Sequence, residues 1–228
     1  MLPGFDTFIA IDWSGASNDY DGIAVAACGT GRSAPTLISS GQGSRWTRTA
    51  IAGWLCEQLS TRQGLLIGLD FAFGFPFEDN GYLGGKAQHL RSVFDLWTLI
   101  DQASPDFDFG CQSFISHARY APLFWKAGPK PAKWTEIKRW TEYACAEQTQ
   151  TRPETVYKLI GSKQVGKASI TGIRVLHHIR MRKPGRVTVW PFEEARGSVM
   201  VEIYPTLFRK WTTGSRAKLR SVRDLNRA

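Results

Sequence analysis

Apolar residues near the start of the chain come in short runs, each closed by a carboxylate or a polar turn. Residues 8–12 (FIAID) end on an aspartate with Ser14 and Gly15 just beyond, which predicts a buried strand followed by a turn. Residues 21–28 (DGIAVAAC) and 35–39 (PTLIS) predict two more strands, and the short polar links between them predict an antiparallel meander. Between residues 46 and 59 the apolar positions Ile51, Trp54, Leu55 and Leu59 take helical spacing. Residues 65–70 (LLIGLD) then predict a fourth strand, again ending on an aspartate. A strand reached through a helix usually pairs in parallel, so this order opens an α/β fold with a mixed sheet.

Residues 71–155 break the rhythm. They hold Trp97, Trp125, Trp134 and Trp140 among frequent glycines and prolines, with helical patches over 90–100 and 134–147. No linker-like flank borders them and so many aromatic rings demand packing, so they are expected to be a large insertion within one domain spanning 1–228. Regular patterning resumes with a predicted strand over 155–160 and a helix over 169–182 that turns Ile170, Ile173, Val175, Leu176 and Ile179 to the core. Strands are expected over 187–190 and 199–204, and helices over 205–211 and 215–228, the last strongly basic.

Composition narrows the class. With 228 residues, 43% hydrophobic and 21% charged, the chain is neither disordered nor fibrous. No apolar run approaches the roughly 18–20 residues of a transmembrane helix. The opening MLPGFDTFIAIDWSG has no basic start and meets Asp12 early, so no signal peptide is expected and the expected location is cytoplasmic. The 4 cysteines form no CxxC pair and are expected to be buried, reduced thiols. Charge is uneven: residues 1–173 carry 16 groups of each sign, while 174–228 carry 13 basic and 4 acidic groups, which accounts for the net +9. That asymmetry fits either a polyanionic partner, nucleic acid above all, or a solvated basic face.

Three constellations could carry chemistry. Asp12 and Asp70 each close an apolar strand, where an open α/β sheet forms its crevice. If the two strands are neighbours, the like charges need a cation between them, and Mg²⁺ or Mn²⁺ suits oxygen-only ligands; the alternative is two strand-end caps on backbone amides. Residues 161–169 (GSKQVGKAS) nearly match the phosphate-binding loop G-x-x-x-x-G-K-[ST], but Ala168 stands where a Mg²⁺-binding hydroxyl belongs and Ser169 is one position late. A true nucleotide-binding loop is not expected there, although Ser14, Lys163 and Lys167 remain weak phosphate-binding candidates. The third is residues 199–228, where Glu202 lies inside a predicted strand, as a site residue or on an exposed sheet face. Finally, Arg216, Arg220, Arg223 and Arg227 follow helical spacing and put four guanidinium groups on one stripe suited to a phosphate backbone. The histidines are expected to be structural unless the fold brings His117 to the crevice, and no serine or cysteine has a nearby base in sequence.

The segments IAIDWSGAS, LLIGLDFAFGFP, GSKQVGKASITGIRVL, VTVWPF and VEIYPTLF together resemble a domain-of-unknown-function family placed in the ribonuclease-H-like superfamily. More distantly, the two ends resemble RuvC-type Holliday-junction resolvases, in which a first strand ends in I-D before a Gly/Ser turn and a late strand reads E-Y-x-P; the counterpart here is Glu202-Ile203-Tyr204-Pro205. The resemblance implies a mixed five-stranded sheet in order 3-2-1-4-5 with helices on both faces and strands 1 and 4 adjacent. It assigns Asp12 and Asp70 to the first- and fourth-strand carboxylates. Resolvase-like relatives add further metal ligands from a D-x-x-D-A-L type segment, which does not occur before Ala228; Asp224 is the one acid of the predicted terminal helix. The expected function is therefore Mg²⁺- or Mn²⁺-dependent phosphodiester hydrolysis of nucleic acid, weak or absent because the acidic set is short. Asp12 and Asp70 would hold the metal, with Glu202, Asp224 or an insertion residue such as Glu142 completing the site. The alternatives are a non-catalytic nucleic-acid-binding module and an actin-like ATP-handling protein.

Overall fold

A computed structural model describes residues 4–16, 22–31, 33–41, 45–132, 134–149, 151–161 and 165–207. Lys163, Arg216, Arg220, Arg223, Asp224 and Arg227 lie outside them.

The meander forms as expected from β1 (Thr7–Asp12), β2 (Ala24–Gly29) and β3 (Thr36–Ile38), paired antiparallel in sequence. Helix α1 (Arg48–Thr61) starts where Thr47 accepts the Ala50 N–H with its hydroxyl, and it returns the chain to β4 (Leu65–Leu69), parallel to β1. A small hairpin follows, β5 (Phe77–Glu78) with β6 (Gly81–Tyr82). Then come α2 (Val93–Gln102), α3 (Gln112–Ser116), α4 (Trp140–Thr149), α5 (Gly166–Arg182), β7 (Val187–Trp190) and β8 (Ser198–Glu202). Ser92 and Asp95 close a capping box at the start of α2.

Among the described residues the main sheet has six strands in order β3-β2-β1-β4-β8-β7, one more than the resemblance implied. The first four follow the order 3-2-1-4; β8 takes the place beside β4, and β7 extends the edge, both parallel to β4. One expected strand does not form. Residues 155–160 bury Val156, Tyr157 and Leu159 by a turn instead, held to the insertion through Trp125 N–H on the Tyr157 carbonyl (3.0 Å) and Leu159 N–H on the Trp125 carbonyl (2.9 Å). A short apolar run records burial, not the partner it pairs with.

Ile9, Ile11, Ile67, Leu69, Val189 and Met200 share one core with Ile51, Leu55 and Leu59 of α1 and Ile170, Ile173 and Leu176 of α5. On the opposite side Phe8, Ala26, Cys28, Leu66, Val201 and Ile203 line an open apolar groove of about 200 Å³, so among the described residues helices cover one face of the sheet rather than two. Close backbone approaches lock α5 in place. A Cβ at Gly172 would collide with the Phe71 ring, and one at Gly15 would collide with the Lys167–Ala168 backbone.

The insertion joins the same core. Trp97 is fully buried and donates its indole N–H to the Phe73 carbonyl (2.8 Å), while Arg174 of α5 pairs with Asp101 (2.9 Å) at the end of α2. All 4 cysteines are free; only Cys111 is buried, where burial pushes its thiol up to about 11, and Cys28, Cys56 and Cys145 are half-buried rather than enclosed as expected. Among the described residues no helix is long and apolar enough to cross a membrane.

Candidate functional site

Because β1, β4 and β8 are parallel neighbours, their C-terminal ends reach the same edge of the sheet. Asp70 N–H donates to the Ile11 carbonyl (3.0 Å) and Ile203 N–H to the Leu69 carbonyl (3.0 Å), so the ladder carries Asp12, Asp70 and Glu202 to that edge together. Asp12 stands exposed at the rim and Asp70 half-buried between its two neighbours. Burial, reinforced by the charges of Asp12 and Glu202, pushes Asp70 up to about 6. Burial also raises Asp12, against a lowering backbone hydrogen bond from Trp13. Among the described residues neither aspartate has an ion-pair partner. They are thus a carboxylate pair with no cation beside it, and Asp12 also accepts the Trp13 N–H as a strand-end cap would.

Glu202 differs. Arg139, from the insertion, grips it with both terminal nitrogens: Nη1 to Oε2 at 2.8 Å and Nη2 to Oε1 at 2.6 Å. The Phe73 N–H adds a third bond to Oε2 (3.0 Å). The same guanidinium turns its other edge to Glu142, with Nε to Oε1 at 2.9 Å and Nη2 to Oε1 at 2.5 Å. One arginine therefore bridges two carboxylates in forked geometry, and the Arg139 charge is held firmly by both. Glu142 is the one buried residue of α4, so this bridge fastens the helix beside the carboxylate edge. Arg139 was missed by sequence reasoning: a basic residue within an aromatic, proline-bearing stretch has no spacing that ties it to a strand some sixty positions later.

Among the described residues, no three Asp, Glu, His or Cys side chains form a group able to hold a metal ion. What the edge offers is a free pair, Asp12 and Asp70, with a third carboxylate committed to Arg139.

The near phosphate-loop is occupied by structure. Ser169 is fully buried, donating to the Val165 carbonyl (2.8 Å) and accepting the Ala72 N–H (3.2 Å), so its hydroxyl ties α5 to the segment after β4 and is closed to a nucleotide. Lys167 sits in the first turn of α5 with Gly15 packed directly on its backbone. Ser14 serves its own turn: its hydroxyl accepts the Ala16 N–H (3.2 Å), and its carbonyl accepts Nε and Nη2 of the buried Arg48 (3.3 and 3.1 Å). Arg48 also bonds the Ala16 carbonyl, and its backbone N–H and that of Thr49 donate to the Asp108 carboxylate (3.2 and 2.7 Å). This brace fixes the loop that follows Asp12. His117 is exposed and stacks on Tyr120, and burial lowers the half-buried His177 and His178.

Set against known proteins, the chain matches no family model, no curated protein and no solved structure.

Proposed function

We propose that this chain is a ribonuclease-H-like, Mg²⁺- or Mn²⁺-dependent phosphodiester hydrolase acting on nucleic acid. The observation that carries the reading is the carboxylate pair at the sheet edge: Asp12 and Asp70 on adjacent parallel strands, with Asp70 pushed up to about 6 by burial first and by its neighbours' charges second. Such a pair is unfavourable by itself and is relieved by a cation, and hard oxygen donors suit a hard divalent ion. The metal would supply activation of a water and stabilisation of the leaving oxygen. Asp12 and Asp70 would hold it, with waters filling the remaining positions; the Arg48 brace keeps the Asp12 loop in register, and Arg139 orients Glu202 at the flank.

A second reading, a nucleic-acid-binding module without turnover, is favoured by the engagement of Glu202 with Arg139, which withdraws the third ligand. The buried Ser169 hydroxyl counts against a phosphate-binding loop at the start of α5 and leaves the actin-like ATP-handling alternative, which turns on Asp12 and the turn after it, untouched.

Thermal melts with and without Mn²⁺ test the pair. Wild type should gain melting temperature with Mn²⁺, and Asp12→Asn and Asp70→Asn should abolish that gain while staying folded. Unchanged Mn²⁺ stabilisation in both variants sinks the paired-carboxylate site. Cleavage of DNA and RNA oligomers, scored alongside, separates hydrolase from binding module; turnover is expected to be weak, because removing one carboxylate from a metal set costs rate more than binding.

A further inference from the structure

We infer that the exposed face of α4, built on Trp140 and Tyr143, is a stacking platform for unpaired nucleotides that leads a single strand to the carboxylate edge. The inference rests on the phosphodiester reading for what happens at that edge, but not for the binding itself.

The first observation is exposure. Trp140 is 86% and Tyr143 54% exposed, and their rings meet edge-on with centroids 6.2 Å apart. Large aromatic side chains lose favourable burial when left in water, and two in contact on one helix are a patch rather than a scattered pair. Helix α4 buries only Glu142, so nothing in its own packing explains these rings.

The second observation is placement. Arg139, the residue immediately before Trp140, is the one that bridges Glu142 and Glu202. The platform is thereby fastened to the end of β8 through a forked ion pair, at a fixed offset from Asp70 and Asp12. A base held on Trp140 keeps a set distance from the edge, which is what positioning a backbone phosphate requires.

The third observation is charge. Residues 125–140 hold five basic groups against one acid; with Lys138 paired to Glu136 and Arg139 to Glu142 and Glu202, the remaining excess is carried by Lys126, Lys130 and Lys133, against Glu147 on α4. Lys130 is exposed and lies over the Trp134 ring at 5.3 Å. Aromatic faces interleaved with lysines are the chemistry of sequence-tolerant single-strand binding: bases stack on rings while ammonium groups follow the phosphates. Bases within a duplex keep their faces on one another and have none to offer a ring, so the platform selects unpaired DNA or RNA.

Fluorescence anisotropy in EDTA tests this without involving the metal. The probes are labelled oligothymidylate, oligouridylate and a DNA duplex of equal length. Wild type should bind at least one single strand more tightly than the duplex. Trp140→Ala and Tyr143→Ala should each lose roughly tenfold in affinity for it, and Trp140→Phe, which keeps a stacking ring, should retain most of it. Melting temperature and Mn²⁺ stabilisation should not change in any of the three. Wild-type affinity in the two alanine variants, preference for the duplex, or no binding of either single strand would each overturn the platform. Because Mn²⁺ stabilisation and cleavage are read separately, failure of the platform leaves the carboxylate site standing, and the reverse also holds.

Discussion

Asp70 is the residue at which folding and function conflict. Its carboxyl is pushed from 3.8 to about 6 by burial and by two neighbouring carboxylates. Below about pH 4 it is protonated in both folded and unfolded chains and has no effect. Between about 4 and 6 the folded chain keeps a proton that the unfolded chain has released, so stability falls as pH rises through this window and the full penalty persists above it. A shift of this size corresponds to ~3 kcal/mol by free-energy conversion. Solvent reaching a half-exposed group cuts it to about 1–2 kcal/mol. Asp70→Asn, which cannot ionise, should therefore melt a few degrees higher than wild type above pH 6 in EDTA, with the difference shrinking toward zero near pH 4. A difference independent of pH would show that Asp70 carries no such burden. The same variant loses Mn²⁺ stabilisation, so one substitution raises stability while removing the site, a trade-off common at functional positions.

At the scale of elements, the bridge from α4 to β8 decides how many ligands the edge can offer. Glu202 is bound by Arg139 and by the Phe73 N–H, and Glu142 shares the same guanidinium. Removing one partner of a largely buried ion pair leaves uncompensated charge and is strongly destabilising. Arg139→Ala should thus lower the melting temperature in EDTA. It should also free Glu202 to face Asp70 as a third oxygen ligand, so Mn²⁺ should stabilise the variant more than it stabilises wild type. If the Mn²⁺ increment is the same in both, Glu202 takes no part in the metal site and belongs only to the insertion's anchorage. The elements themselves follow the chain's periodicity closely where one side faces the core: α2, α5 and the three meander strands form within a few residues of their expected bounds. Residues 155–160 show the limit, because the same apolar run serves equally to pair in a sheet or to bury a turn against Trp125.

For the molecule as a whole, charge is the property that outlasts local detail. The basic excess of the last quarter includes Arg216, Arg220, Arg223 and Arg227, outside the described residues. Nucleic-acid affinity through such groups should fall linearly in log–log terms with salt, by a slope of about −0.7 for each phosphate neutralised on a single strand. Reversing the four to glutamate should abolish binding at moderate salt with little change in melting temperature; binding and salt slope equal to wild type would reduce the asymmetry to a solvated face. By itself the sequence determined the strands that close on Asp12 and Asp70, the two strands and the helix between them and the poverty of the phosphate-loop, since each depends on residue type and short-range spacing. It also singled out Glu202 without deciding its role. Only the tertiary structure decided that β8 lies beside β4, that Glu202 joins the two aspartates there, and that Arg139 from the insertion holds it. The physical reason is range. Periodicity records which side of an element is buried, whereas strand order and ion pairing across sixty residues depend on which surfaces meet once the chain has closed on its core.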